Sequence, residues 1–165
     1  MQPYIPLEVA IDLKKSTACF TRIINELGTL YVQCNNIKIE KQQSNNIITL
    51  SFNGHTYHIE LCPSFPFKTP EKIMVDGVDY SRILVASDPR MKPYLKNYTG
   101  TDCMCCSSLV CPDNWTPATR ITSIINEVEF NIHLKYNILF HILCDEIRAK
   151  HKLSSDFAAF EEYLF

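Results

Sequence analysis

The sequence predicts an α+β domain in which a four-stranded antiparallel meander is covered on one face by an N-terminal helix and C-terminal helices. Three observations carry that prediction. Phe20, Ile23, Ile24 and Leu27 recur at helical spacing near the start of the chain. "NIITLSF" and "HTYHIEL" flank Asn53-Gly54, a pair suited to a two-residue hairpin turn in which both positions need positive φ. Beyond the single tryptophan, Trp115, apolar residues return at helical spacing and continue almost to the C-terminus.

The first helix is expected over roughly residues 7–30, with Gly28 as its stop. In "NNIKIEKQQ", Ile37 and Ile39 alternate with polar residues, which reads as a short strand. Counting back from Asn53-Gly54 pairs Phe52 with His55, Leu50 with Tyr57 and Ile48 with Ile59, and all six then share one face. "CPSFPFKTPEKIMV" gives a proline-rich turn and a further strand at about 72–76. A long region of low regularity, about 77–102, follows with room for one short helix near 80–86, and its length makes it either functional or an irregular insertion. Thr116-Pro117 is placed to start the next helix, threonine as cap and proline at the first position. Ile121, Ile124, Ile125 and Val128 mark its buried stripe. A second helix is expected over roughly 133–150, with Leu134, Ile138, Ile142 and Leu143 on one side, and a short one in "SSDFAAFEEYLF".

At 165 residues, 46% hydrophobic and 21% charged, the chain has the make-up of one globular domain spanning 1–165. Its net charge of −2 gives no reason to expect nucleic acid as a partner, because phosphate binding needs a basic surface. The N-terminal "MQPYIPLEVAIDLKK" lacks the basic-then-apolar pattern of a leader, and no run approaches the roughly 20 apolar residues of a membrane span. The expectation is a cytoplasmic or nuclear protein with reduced thiols and no membrane partner. Of the eight cysteines, Cys19, Cys34, Cys62 and Cys144 stand alone and are expected to be small buried apolar residues.

Chemistry concentrates in "GTDCMCCSSLVCPDNWTPATR", residues 100–120, which places Cys103, Cys105, Cys106 and Cys111 within nine positions. Two segments, "FPFKTP" at 65–70 and "NWTPAT" at 114–119, occur in this order around the cysteines and among the expected strands and helices. In this the chain resembles the ubiquitin-conjugating enzymes over roughly residues 15–145. It lacks that family's His-Pro-Asn tripeptide, has a longer segment between the two motifs, and turns more tightly at Asn53-Gly54.

The resemblance implies a ubiquitin-conjugating-enzyme-like fold and a thiol that carries ubiquitin, or a ubiquitin-like modifier, as a thioester. Aligned on the tryptophan, it implies Cys106, nine residues before Trp115, as nucleophile, with Leu109 and Val110 as the apolar pair that follows. Cys105 is the alternative and Cys103 the third candidate. It further implies that Phe67, Pro117 and Ala118 face partner proteins, although Phe67 also reads as a core residue and Pro117 as a helix starter. The implied partners are the modifier, an activating enzyme and a ubiquitin ligase. No cofactor is expected, since ATP is consumed by the activating enzyme. Asn97 and Asn114 are the nearest asparagines for an oxyanion, and both equally suit turns. His133 falls near where the family's active-site rim often acts on the incoming amine.

Three other readings of the cysteines compete. Four thiolates, or three with His133 or His141, would make a zinc site, against which stands the divergence of adjacent Cys105 and Cys106 along an extended chain. A transient redox pair is the second. The third is a catalytically inactive domain of the same fold that binds partners without a nucleophile.

Overall fold

The computed structural model describes residues 17–42 and 45–151. The fold is α+β, a five-stranded antiparallel sheet with helices. Helix α1 (Thr17–Gln33) buries Ile23 and Leu27 completely, as their spacing requires. The expected helical turns before Thr17, the final helix after His151 and the side chains of Cys19 and Phe20 lie outside the described residues. Gly28 does not stop α1. The helix passes through it because Leu30, fully buried, continues the apolar stripe. Burying a leucine is worth about 2 kcal/mol, against about 1 kcal/mol for a glycine inside a helix.

The strands follow in chain order: β1 (Asn35–Gln42), β2 (Asn45–Phe52), β3 (His55–Leu61), β4 (Lys72–Val75) and β5 (Val78–Asp79). They pair as a simple meander, β1-β2-β3-β4-β5. At the β2–β3 turn Asn53 and Gly54 both have positive φ, 49° and 86°. The expected register is the one observed, with Phe52 opposite His55, Leu50 opposite Tyr57 and Ile48 opposite Ile59. Ile48, Leu50, Tyr57 and Ile59 are fully buried, whereas His58 on the alternate face is exposed and pairs with Thr49. The sheet therefore has one dry and one wet face, as antiparallel sheets commonly do. The fifth strand, beyond the four predicted, follows Asp76-Gly77, whose φ values of 50° and 79° make a second tight turn.

The region 77–102 is more regular than its sequence predicts. It holds β5, the short helix α2 (Tyr80–Leu84) and α3 (Met91–Thr99). Asp79 caps α2 by accepting from the Ser81 amide at 2.9 Å. In α3 Met91 and Leu95 are buried and Tyr94 packs against the core.

Helix α4 (Ile121–His151) is one helix of 31 residues where two were predicted. The expected break falls where Glu129 and Asn131 interrupt the apolar stripe. Both point inward, and their polar groups are satisfied: Tyr57 Oη donates to Glu129, and Asn131 Nδ2 donates to Tyr80 Oη at 2.6 Å. Nor does α4 begin at Thr116-Pro117, which forms a turn closed by the Thr119 amide on the Thr116 carbonyl at 2.9 Å. Its first amide, Ile121 N, instead donates to Glu26 of α1 at 3.0 Å. Arg22 pairs with Glu26 and donates to the carbonyls of Ala118 and Thr119 at 3.1 and 2.9 Å. Helix α4 packs against α1, α2 and α3, so the core lies between these helices and the dry face of the sheet. Among the described residues no helix is long and apolar enough to cross a membrane. Cys34, Cys62 and Cys144 are buried, as single cysteines were expected to be.

Candidate functional site

The cysteine loop runs from Gly100, whose φ of 76° closes α3, to the start of α4. Its anchor is Met104, which is 1% exposed and packs in the core. With that side chain turned inward, Cys103 is half-buried and Cys105 and Cys106 are exposed. Short turns fold the chain after Met104: the Ser108 amide donates to the Cys105 carbonyl, and the Cys111 amide to that of Ser108, at 3.3 and 3.1 Å. The backbone is thus not extended here, and the three sulfurs converge instead of diverging. Cys103 Sγ lies 2.7 Å from Cys105 Sγ and 3.1 Å from Cys106 Sγ, and the last two are 3.9 Å apart. All three thiols are free, and none of these separations is that of a disulfide, near 2.05 Å. Among the described residues these three sulfurs form the one group able to share a metal ion. Cys111 is not part of it. Nor are the histidines: His133 is exposed on α4, and His141 stacks against Tyr94 with ring centroids 6.2 Å apart.

The three thiols differentiate one another. Contacts from Cys105, then from the side chain and amide of Cys106, hold the Cys103 thiol down to about 7. The hydrogen bond to Cys103 above all, then that to Cys105, pushes Cys106 up to about 12, and the hydrogen bond to Cys103 followed by burial raises Cys105. Because the thiolate is the reactive form, iodoacetamide is expected to modify Cys103 first in reduced, chelator-treated protein. Its rate should climb as pH rises through about 7, below the range near 8.5 of an ordinary cysteine. Peptide mapping across a pH series reads this directly, and first labelling at Cys106 would reverse the order assigned here.

Groups that the sequence did not single out hold the loop. Glu127 of α4 accepts from Ser108 Oγ at 2.6 Å, from the Leu109 amide at 2.6 Å and from Tyr80 Oη at 2.8 Å. On the outer side Asn114 Nδ2 donates to the carbonyls of Cys106 and Ser108, at 2.8 and 3.0 Å. Both amide hydrogens of Asn114 are therefore engaged in shaping the loop, which is the turn role and not the oxyanion role. Asn97 is exposed on α3. A pattern of apolar periodicity passes over Glu127, and nothing local to "SSL" points to a carboxylate 18 residues on.

The two quoted motifs meet in space. Trp115 Nε1 donates to the Pro66 carbonyl at 2.9 Å, and the indole tilts against Phe65 with centroids 6.1 Å apart. Phe65 is buried, but Phe67 is 68% exposed, which removes its reading as a core residue. Pro117 and Ala118 are exposed beyond Trp115 and precede the helix instead of starting it. An apolar cavity of about 390 Å³ near Val78, Tyr136 and Leu139 shares no residue with the cysteine loop. The exposed Cys105 and Cys106 thiols are accessible to a macromolecule. Comparison of the chain with family models, with curated proteins and with solved structures finds no match in any of the three.

Proposed function

We propose that this chain has a ubiquitin-conjugating-enzyme-like fold and carries ubiquitin, or a ubiquitin-like modifier, as a thioester on Cys106. The observation that supports this most is the Trp115–Pro66 hydrogen bond. It joins the two segments on which the resemblance rests, with an exposed thiol on the loop that leads into the second. In the first exchange Cys106 Sγ bonds the carbonyl carbon of the modifier's C-terminus. The bond from that carbon to the activating enzyme's sulfur breaks, and that sulfur leaves as a thiol with the proton Cys106 gives up. Cys103, whose thiolate forms first and whose Sγ is 3.1 Å away, is placed to take that proton from Cys106 and pass it to the leaving sulfur. In the second exchange a lysine amine or a ligase thiol displaces Cys106. Exposed Phe67, Pro117 and Ala118 supply the surface for the activating enzyme and a ligase.

The convergence of three sulfurs favours one other reading, an inactive interaction domain whose cysteines serve only structure. A charging reaction separates the two: activating enzyme, ATP, ubiquitin and the chain, resolved on gels with and without reductant. Wild type is expected to show a reductant-sensitive adduct that Cys106→Ser loses and Cys111→Ser keeps. Persistence of that adduct in Cys106→Ser moves the nucleophile to Cys105 or Cys103. Absence of any adduct with wild type hands the assignment to the interaction domain.

A further inference from the structure

We propose that Cys103, Cys105 and Cys106 form a three-thiolate site for a thiophilic d10 cation of the zinc class, open to solvent at its fourth position. The site stands independently of thioester chemistry. All three Sγ atoms lie within 4.8 Å of one another, closer than side chains on an exposed loop need to be. Zinc bonds thiolate sulfur at about 2.3 Å, so sulfurs sharing one tetrahedral ion stand about 3.8 Å apart. The Cys105–Cys106 separation, 3.9 Å, already has that value, and the other two, 2.7 and 3.1 Å, reach it by rotation of the Cys103 side chain.

The surroundings are those of a ligand loop. The Cys106 amide donates to Cys103 Sγ at 3.3 Å, a bond of the kind that stabilises a thiolate. The carbonyls of the outer ligands are held as well, Cys103 by Thr101 Oγ1 at 2.7 Å and Cys106 by Asn114 at 2.8 Å. Between them Met104 is pinned in the core. The backbone that carries the three ligands is therefore held by the protein before any ion arrives, and only the Cys103 side chain has to turn.

An all-sulfur donor set selects soft ions and excludes magnesium and calcium, which take oxygen. With Cys111 outside the group, the fourth position falls to solvent, which makes the ion exchangeable. On binding, each S–H bond is replaced by a bond from sulfur to the metal and the proton passes to solvent; no electron moves. An ion held by Cys106 and an acyl group on Cys106 use the same sulfur. Where the chain also carries a modifier, the two exclude each other.

The test needs no activating enzyme. Reduced, chelator-stripped full-length chain is titrated with Cd²⁺, whose bonds to thiolate absorb in the ultraviolet, and then with Zn²⁺ in competition. Wild type is expected to saturate at equimolar Cd²⁺ and to surrender it to Zn²⁺ only at large molar excess, cadmium being the softer ion. Cys103→Ser, Cys105→Ser and Cys106→Ser should each weaken binding by more than the roughly 10- to 100-fold that loss of an outer-shell partner costs. Cys111→Ser should leave it unchanged. All four side chains lie outside the core, so circular dichroism of each variant should match wild type. Failure of wild type to develop the absorption, or its persistence in Cys106→Ser, overturns the proposal. So does equal loss in Cys111→Ser, which would place the ligands elsewhere.

Discussion

Tyr57→Phe is expected to destabilise the domain by about 3 kcal/mol, whereas Glu129→Gln, at the other end of the same hydrogen bond, should cost under about 1 kcal/mol. Tyr57 is fully buried on β3, and Glu129 of α4 is 8% exposed. The tyrosine hydroxyl donates to Glu129 Oε1, while Oε2 takes only a long contact from Asn53 Nδ2 at 3.4 Å. Burial above all, then the bond to Glu129, pushes the ionisation of Tyr57 up, so its hydroxyl keeps the proton that it donates. Phenylalanine fills the same space but leaves a carboxylate in the core with one weak donor. Stranding a buried charge costs about 3–5 kcal/mol, and the Asn53 contact brings the value to the lower end. Glutamine instead offers a carbonyl to Tyr57 and an amide to Asn53, whose own amide turns to accept. Urea unfolding of the two variants measures the difference. In a domain of this size the Tyr57→Phe loss corresponds to a fall in Tm of about 10 °C. Equal losses in both would show that shape, not charge, governs the site.

That pair also marks what the sequence made legible and what it concealed. The hairpin could be read to the residue because Asn53-Gly54 fixes the turn and a slip by one would put Leu50 and Ile59 in water. The same logic applied to Asp76-Gly77 would have found β5, but two residues are too short a strand to show alternation. Helix α4 reads as two helices in the sequence because Glu129 and Asn131 interrupt its apolar stripe, although both are buried. Their partners, Tyr57 and Tyr80, lie 72 and 51 residues away, and no local pattern reveals them. Gly28 failed as a stop for a related reason: glycine's cost is local and small, and Leu30 beyond it is in the core.

The candidate site divides in the same way. That the cysteines cluster was legible from their density, and a surface role for Pro117 and Ala118, which are exposed, was implied by the resemblance alone. The geometry of the cysteines was not legible, because divergence of Cys105 and Cys106 holds only for an extended backbone. Met104, buried between exposed neighbours, makes that backbone turn. One apolar residue thus reverses the inference about three polar ones.

The support beneath that turn yields the second large effect. Glu127→Gln is expected to cost about 2–3 kcal/mol and to loosen the cysteine loop without disturbing the sheet. A carboxylate is acceptor-only, and Glu127 meets three donors: Tyr80 Oη and Ser108 Oγ on Oε1, and the Leu109 amide on Oε2. Tyr80 is a donor because burial first, and the Glu127 charge next, push its ionisation up. A glutamine amide must set its own N–H groups against either the Leu109 amide or the two hydroxyls. In either orientation at least one donor next to the buried Ser108 loses its partner, at about 1–3 kcal/mol, and the remaining bonds lose their charge assistance. Asn114→Ala removes donors from the solvent side, where water replaces them, and should cost less than half as much. Limited proteolysis discriminates the two: cleavage between Cys103 and Cys111 should accelerate strongly in Glu127→Gln and only slightly in Asn114→Ala, with Tm falling in the same order. If Glu127→Gln resists protease and heat as wild type does, the loop is held by Met104 and Trp115 alone. The carboxylate would then be a passenger on α4.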